Sequence, residues 1–360
     1  MAISPDVVAT ALNELMPAYS ELFVKWHPLL EKVVDSGNMD RSTLKGPKRE
    51  FAVVTDGPGT VTQIQTGTEI IAGGRSQNAY RGNVVAPRLI YAFDVPGKDL
   101  AEANGPMDLA RILQHYPELA LADFHQLISN QLGTGVGTGN VGSFATLNGA
   151  TTFNPDGTAR DGFFEFDTVT QQVGGGKTVH GLAKATVAGW VNQYGDITSF
   201  AVNGKTTMRK TFYAASRQGK TLGDVNLMLG DEESYLNYID DLDDQVRVST
   251  IKNDQAPGQV RQGMKFLTCD FFLDDSIDRT AATYTGTPAA DGVIYGFKTP
   301  VWHLFMLGHD SGKETKGDFA VRGPFRIPDQ DLFRYEIVLM MGLHTTQLRA
   351  NFAITGAATP

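Results

Sequence analysis

Residues 170–197, TQQVGGGKTVHGLAKATVAGWVNQYGDI, decide the fold. The first half carries a glycine run into Lys177-Thr178, which is how a phosphate-binding loop ends. That loop follows the pattern G-x-x-x-x-G-K-[ST]. Gly176 fits, but the first glycine would have to stand at 171, where the chain has Gln171. The loop also needs a strand just before it and a helix opening at the lysine, because helix N-terminal N–H groups hold the phosphates. The nearest strand-like run upstream is Phe163-Phe164-Glu165-Phe166, too far for a tight loop. Downstream, Gly181, Gly189 and several β-branched residues make a poor helix. The segment reads as a flexible glycine loop ahead of a strand.

Other chemical motifs fail the same test of context. GTGNVG (Gly137, Gly139, Gly142) matches the dinucleotide pattern, with Asp161 about where a ribose-binding acid would stand. The segment before it, ADFHQLISNQL, reads as a helix and the one after it as loop and turn, the reverse of what dinucleotide binding needs. His303 and His309 are six apart, a spacing that suits neither one helix face nor a tight metal loop. Cys269 is the sole cysteine and lies in the apolar run FLTCDFF, where a buried, inert thiol is expected. There is no G-x-S-x-G. The acid pairs Asp240-Asp241 and Asp243-Asp244 fall in an acidic run, and the seven acids from Asp231 to Asp244 read as a solvated face. The sequence thus offers no catalytic, cofactor-binding or metal-ligating residues, and the expectation is a protein that is not an enzyme.

Composition narrows the class. With 360 residues, 41% hydrophobic and 20% charged, the chain is globular and long enough for more than one compact unit. A net charge of −9 argues against a protein that coats a phosphate backbone. One cysteine excludes an internal disulfide, so folding in a reducing cytoplasm is expected. The stretch MAISPDVVATALNELM lacks the charged and apolar regions of a signal peptide, and no apolar run reaches membrane-spanning length.

Periodicity supplies the element order. Residues 4–35 carry an apolar stripe of Val7, Val8, Leu12, Leu15, Met16, Leu22 and Phe23, with Pro17 and Pro28 expected to break the helix. Two readings stand: an arm docking on a partner, or a helix packed on its own domain. Residues 36–50 form a polar link. FAVVT, TVTQIQT and APRLIYAFDV within 50–95 are β-rich and flank the glycine-rich GTEIIAGGRSQNAYRGN. They read as two long strands with a flexible tip. Such a ribbon is not stable alone, which points to a neighbouring subunit as its support.

Residues 106–133 give the strongest helical rhythm, with a second helix expected to begin at Pro117 and to end at Gly133. Residues 134–230 read as loops and short strands ending in NLMLG. DEESYLNYIDDLDDQVRV then opens a helix buried through Tyr235, Tyr238, Ile239, Leu242 and Val246. MKFLTCDFFLDD, GVIYGF and VWHLFMLG follow as strands. Two alternating runs, Phe333 to Met341 and Leu348 to Ile354, are joined by GLHTT and read as an antiparallel hairpin.

This order resembles the major capsid proteins of tailed bacteriophages, with the Hong Kong 97-type fold. GWVNQYGDI is the most specific matching stretch, a W-x-N-Q-like segment after a glycine-rich loop. The likeness continues through TMRKTFYAASRQGKTLGDVNLMLGDEESYLNYIDDLDDQVRV, GMKFLTCDFFLDDSI, GVIYGFKTPVWHLFML and PDQDLFRYEIVLMMGL. It is a pattern of segments over most of the chain and not one diagnostic motif.

The resemblance implies an α+β fold with an N-terminal helical arm at 1–45 and an extended β-hairpin loop at 46–96. It implies a peripheral domain at 97–150 and 318–352, with a spine helix near 117–133, and an axial domain at 151–317 and 353–360. It implies a structural protein that self-assembles into pentamers and hexamers of an icosahedral phage head. The head would enclose double-stranded DNA without sequence-specific contacts. Implied partners are further copies of the chain, a portal protein, a scaffolding protein and a cement or decoration protein. Only residues 1–45 precede the β-rich loop, so a separate scaffolding protein is expected. The expected location is the virion, after assembly in the host bacterial cytoplasm, with no membrane and no cofactor. The alternatives are an encapsulin-like nanocompartment shell, a nucleotide-dependent enzyme using GGGKT, and a monomeric β-rich binding module.

Overall fold

The computed structural model describes residues 5–40, 49–54, 79–84, 88–102, 106–133, 152–153, 159–160, 164, 178–183, 187, 189–218, 224–240, 263–274, 277, 292–307, 309–310, 313–314, 319–328 and 330–356. Helices α1 (Pro5–Val24) and α2 (Pro28–Asp35) come first, then β1 (Met39–Asp40). A ribbon of β2 (Arg49–Val54) and β3 (Ala79–Val84) precedes β4 (Arg88–Pro96). A short α3 (Gly97–Glu102) leads into the long α4 (Pro106–Gly133). Two small hairpins follow, β5 (Thr152–Phe153) with β6 (Ala159–Arg160), and β7 (Thr178–Val179) with β8 (Leu182–Ala183). Next come β9 (Gln193–Asp196), α5 (Lys205–Gln218), β10 (Leu227–Gly230), α6 (Glu232–Asp240), β11 (Gly263–Phe266), β12 (Cys269–Leu273) and β13 (Ile294–Phe297). The last elements are β14 (Trp302–Leu307), β15 (His309–Asp310), β16 (Lys313–Glu314), β17 (Phe319–Arg326), β18 (Leu332–Thr345) and β19 (Phe352–Thr355).

The first sheet is built on β18. Its alternation buries Tyr335, Ile337, Leu339 and Met341. Antiparallel partners β4, β17 and β14 lie along it, and β1 adds a parallel edge to β14. Helices α1 and α4 pack against this sheet. Phe319 meets Phe23 of α1 edge-on at 5.6 Å and stacks on Phe124 of α4 at 6.0 Å. Phe93 stacks between Tyr116 at 4.4 Å and Tyr335 at 5.5 Å. The Tyr335 hydroxyl donates to the Pro5 carbonyl at 3.0 Å, which ties down the start of α1. Of the two readings of the N-terminal helix, this geometry gives one packed on its own chain, through buried Val8, Leu12, Met16 and Phe23.

Helix α2 is seated by its ends. The His27 Nδ1 accepts from Leu29 N at 3.2 Å, Pro28 occupies the first turn, and Gly37 N donates to Val34 O at 2.8 Å beyond the last.

The second sheet runs β11-β12-β10-β13-β19-β9. Met228, Phe271, Ile294, Phe352 and Ile354 point to one side, into a core that holds Met208 and Phe212 of α5 and Tyr235 and Tyr238 of α6. The alternate residues Leu227, Leu229, Phe272, Tyr295 and Phe297 point to the other side, into the larger core shared with the first sheet. Burial on both faces is why NLMLG, CDFF and GVIYGF are nearly continuous apolar runs.

Several expectations are corrected. Helix α1 runs unbroken through position 17, and α4 is one helix of 28 residues through the buried Pro117, not two. An interior proline costs roughly 3 kcal/mol. Buried residues on both sides of it, such as Leu12, Met16 and Phe23 on α1, contribute about 1.5–3 kcal/mol each and outweigh that cost.

The segment 205–218, read as loop or strand, is helix α5. Its buried face needs only Met208, Phe212 and Ala215, one per turn, so the apolar rhythm is faint. MKFLTCDFFLDD is two strands, β11 and β12, turned at Leu267 with φ 55°. APRLIYAFDV is not the return strand of the ribbon. It is β4, paired to β18, and the return strand β3 comes from AYRGNV inside the expected tip. TVTQIQT, Leu242, Val246 and GTGNVG lie outside the described residues.

The closing hairpin also fails. β18 belongs to the first sheet, and β19 pairs with β13 and β9 in the second. Asp231, taken as part of a solvated face, is buried and caps α6. Its Oδ1 accepts from Ser234 N at 3.0 Å, and its Oδ2 accepts from Gly292 N at 2.9 Å and Val293 N at 3.3 Å. Burial pushes its carboxyl above the ordinary range, and these N–H donors pull the other way.

Candidate functional site

Lys177-Thr178 does not lead into a helix. Thr178–Val179 is strand β7, and the chain reverses at His180 (φ 55°) and Gly181 (φ 76°) into β8. Two successive residues at positive φ make a tight hairpin turn that glycine favours at its second position. A phosphate loop requires the opposite geometry, a helix N-terminus at the lysine. Residues 171–177 themselves lie outside the described residues.

This small hairpin has a structural task instead. The indole Nε1 of Trp190, fully buried, donates to Val179 O at 3.3 Å and holds β7 from behind. On the other side, His180 O accepts from Asn83 N of β3 at 2.9 Å. The His180 Nε2 accepts from Thr345 N at the end of β18, at 3.4 Å. Phe51 of β2 lies edge-on to the His180 ring at 5.2 Å and against the His344 ring at 4.2 Å. His303 stacks on His344 at 5.2 Å across the β14–β18 pair. Four separate segments therefore converge on the base of the β2–β3 ribbon and fix where it leaves the body.

On the ribbon itself, Val53 is buried, while Arg81 and Glu50 form an exposed ion pair at 3.0 Å. Such an exposed pair contributes little stability. What carries the ribbon is packing at its root. No sequence signal announced this junction, because Phe51, His180, His303 and His344 lie far apart in the chain. The cap at Asp231 did have a signal, the D-x-x-S spacing before an apolar helix.

The remaining candidates scatter. His303 sits on β14 and His309 on β15. Among the described residues no group of three or more His, Cys, Asp or Glu is placed to hold a metal ion. Asp240 is exposed at the end of α6. Cys269 is buried, its Sγ donating to Val225 O at 3.1 Å, and burial pushes the thiol far above its ordinary range. The native protein is expected to resist iodoacetamide at pH 8 and to react fully once unfolded in urea; rapid labelling of the native chain would contradict this placement. No described helix is long and apolar enough to cross a membrane.

No protein-family model matches the sequence, and no curated protein matches it either. Solved structures do. The capsid asymmetric unit of cyanophage A-1(L) matches with a TM-score of 0.55 at 12% identity, covering 95% of this chain and 93% of that one. The capsid of an empty GTA particle matches with a TM-score of 0.51 at 11% identity, covering 90% and 89%. The capsid of a native GTA particle gives 0.50 at 10% identity, again covering 90% and 89%. The chain has the α+β capsid fold of these structures.

Proposed function

We propose that this chain is a shell-building structural protein, the major capsid subunit of a tailed phage-type particle. It self-assembles into pentamers and hexamers of an icosahedral head that encloses double-stranded DNA, and it catalyses no reaction. The observation that carries the reading is likeness of fold to a capsid subunit along 95% of the chain. A second support comes from Thr178, the last residue of GGGKT, which lies in a β-hairpin strand where a phosphate loop would need a helix start.

The proposed division of labour follows the two sheets. Residues 46–87 form an extended loop that lies over a neighbouring subunit, rooted at the β2–β3 ribbon, while 88–96, expected within that loop, are β4, paired along β18 in the first sheet. Residues 97–150 and 318–352 form the peripheral domain around β17, β18 and the spine helix within α4. Residues 151–317 and 353–360 form the axial domain around the second sheet, with β14 reaching across into the first. Residues 1–45 are the N-terminal arm, whose helix α1 packs on β17 and α4.

Assembly is the mechanism. A standard interface buries roughly 1,600 Å², and a shell subunit makes several. Moderate contacts become a stable shell because each docked neighbour raises the effective concentration of the next. A net charge of −9 lets packaged DNA slide along the inner wall without being gripped. The partners are further copies of the chain, with portal, scaffolding and decoration proteins, in a virion assembled in a bacterial cytoplasm.

The test is expression of the chain together with the proteins encoded beside its gene, followed by light scattering and electron microscopy. Closed shells or rings of five and six subunits are expected, and Lys177→Ala is expected to assemble like the parent. A stable monomer in that preparation would overturn the reading. Shells loaded with an enzyme cargo and no DNA would make the protein an encapsulin-like compartment instead.

A further inference from the structure

Two helices cover one side of the second sheet, and they carry opposite charge. Helix α5 packs over β19 and β9, at one end of the strand order, and α6 over β12, near the other. The sequence of α5, KTTMRKTFYAASRQ, has four basic residues and no acid. That of α6, EESYLNYID, has three acids and no base. The exposed residues fall into matching stripes. On α5, Arg209, Tyr213 and Arg217 recur every four residues, all exposed, with Tyr213 at 50%. On α6, Glu232, Leu236 and Asp240 recur every four residues, all exposed, with Leu236 at 48%. Residues four apart lie on one face of a helix. Each stripe is thus a large apolar or aromatic residue between two like charges, at the same spacing, and the charges are opposite.

A stripe of this kind on a chain of net charge −9 needs an explanation. Large apolar side chains half exposed between charges are what a moderate interface leaves bare. We propose that α5 of one copy docks on α6 of the next copy, tyrosine against leucine and arginine against acid. The two stripes belong to different ends of one sheet, so this contact is head-to-tail. Head-to-tail contacts between identical subunits close into rings when the rotation permits. The proposal rests on the shell reading and specifies which surfaces join neighbours within a ring. Val202, in the turn that enters α5, is a further bare apolar residue at 81% exposure. Duplex DNA is the rival occupant of the basic stripe. The acidic stripe of equal spacing favours a second copy, because DNA leaves α6 without a partner.

Three variants of the full chain test this in the co-expression preparation. The first reverses α5 (Arg209→Glu, Arg217→Glu), the second reverses α6 (Glu232→Arg, Asp240→Arg), and the third combines all four. Like-charge juxtaposition suppresses association strongly, so each reversal is expected to lower the assembled fraction by about tenfold or more. The combined variant restores it to within about twofold, because the pairing is re-formed with signs exchanged. The neutral pair Arg209→Gln, Arg217→Gln shifts assembly in the same direction without introducing a new charge. Thermal unfolding of all four variants should stay within a few degrees of the parent, since every altered side chain is exposed and a reversed charge at a helix end, as at Glu232 and Arg217, changes stability only modestly.

If the parent assembles and the reversed variants assemble equally well, the docking proposal is wrong and the shell reading stands. If the α5 reversal leaves assembly intact but abolishes retention of duplex DNA, the stripe is a DNA-facing surface and the proposal is overturned. If the parent itself never assembles, the shell reading falls and the docking falls with it.

Discussion

Asn351→Ala is expected to destabilise the protein by roughly 3–5 kcal/mol, because one buried amide serves four groups. The Oδ1 of Asn351 accepts from Lys298 N at 2.9 Å and from the indole Nε1 of Trp302 at 2.8 Å. Its Nδ2 donates to Gln347 O at 2.9 Å and Leu348 O at 3.3 Å. Asn351 and Trp302 are both fully buried. Truncation leaves two donors without water or partner, and each such orphan costs about 1–3 kcal/mol. The position explains the stake. Asn351 lies in the short link where the chain leaves β18 in the first sheet and enters β19 in the second, while Lys298 and Trp302 flank the return from β13 to β14. One side chain therefore fastens both crossings between the sheets. Urea denaturation of the unassembled chain, followed by tryptophan fluorescence, gives the loss directly. A cost below about 1 kcal/mol would show that water replaces the amide, and that the link holds without it.

That link is also where sequence reasoning fails in an instructive way. Alternation in Leu332–Thr345 and apolar runs such as NLMLG and GVIYGF were legible, because each reflects a local periodicity set by burial. Which strand pairs with which is not local. The runs at 333–341 and 348–354 look like two arms of a hairpin. A 3-10 turn at Leu348–Ala350 and the Asn351 amide instead redirect the second run into the other sheet. APRLIYAFDV was legible as a strand and illegible as to partner for the same reason. Prolines misled in the opposite direction. Local propensity at Pro117 predicts a break, yet a buried stripe from Ala120 to Leu132 holds the helix as one. Helix α5 escaped because its buried face is only one residue per turn. Its exposed face, the arginine and tyrosine stripe, becomes meaningful only beside α6. At the ribbon root, Trp190 was legible as part of the matching stretch GWVNQYGDI, but its task of holding a hairpin against Asn83, Phe51 and His344 exists only in three dimensions.

Gly296→Ala carries the second large effect, and its sign follows from a single contact. Gly296 of β13 stands directly across from Phe352 of β19. A Cβ built on Gly296 would fall within the Phe352 ring, which is fully buried among Met228, Ile294 and Ile354 and cannot swing away. Overpacking of a tight core typically costs about 1–3 kcal/mol. Restricting the unfolded chain returns about 0.4–1 kcal/mol, as glycine-to-alanine changes do. Steric cost wins because the clash is with ring carbons held on all sides, so a net loss of about 2 kcal/mol is expected. Phe352→Leu alone should cost about 1–2 kcal/mol through the lost ring volume. Together the two changes should cost clearly less than their sum, because the smaller side chain makes room for the new methyl. Neighbouring sites that truly clash show coupling of about 0.5–3 kcal/mol, whereas independent sites add within about 0.5 kcal/mol. Denaturation of the two single variants and the double variant therefore discriminates. Additive losses would mean that Phe352 already has a second place to go, and that the close approach of β13 and β19 is not what reserves position 296 for glycine.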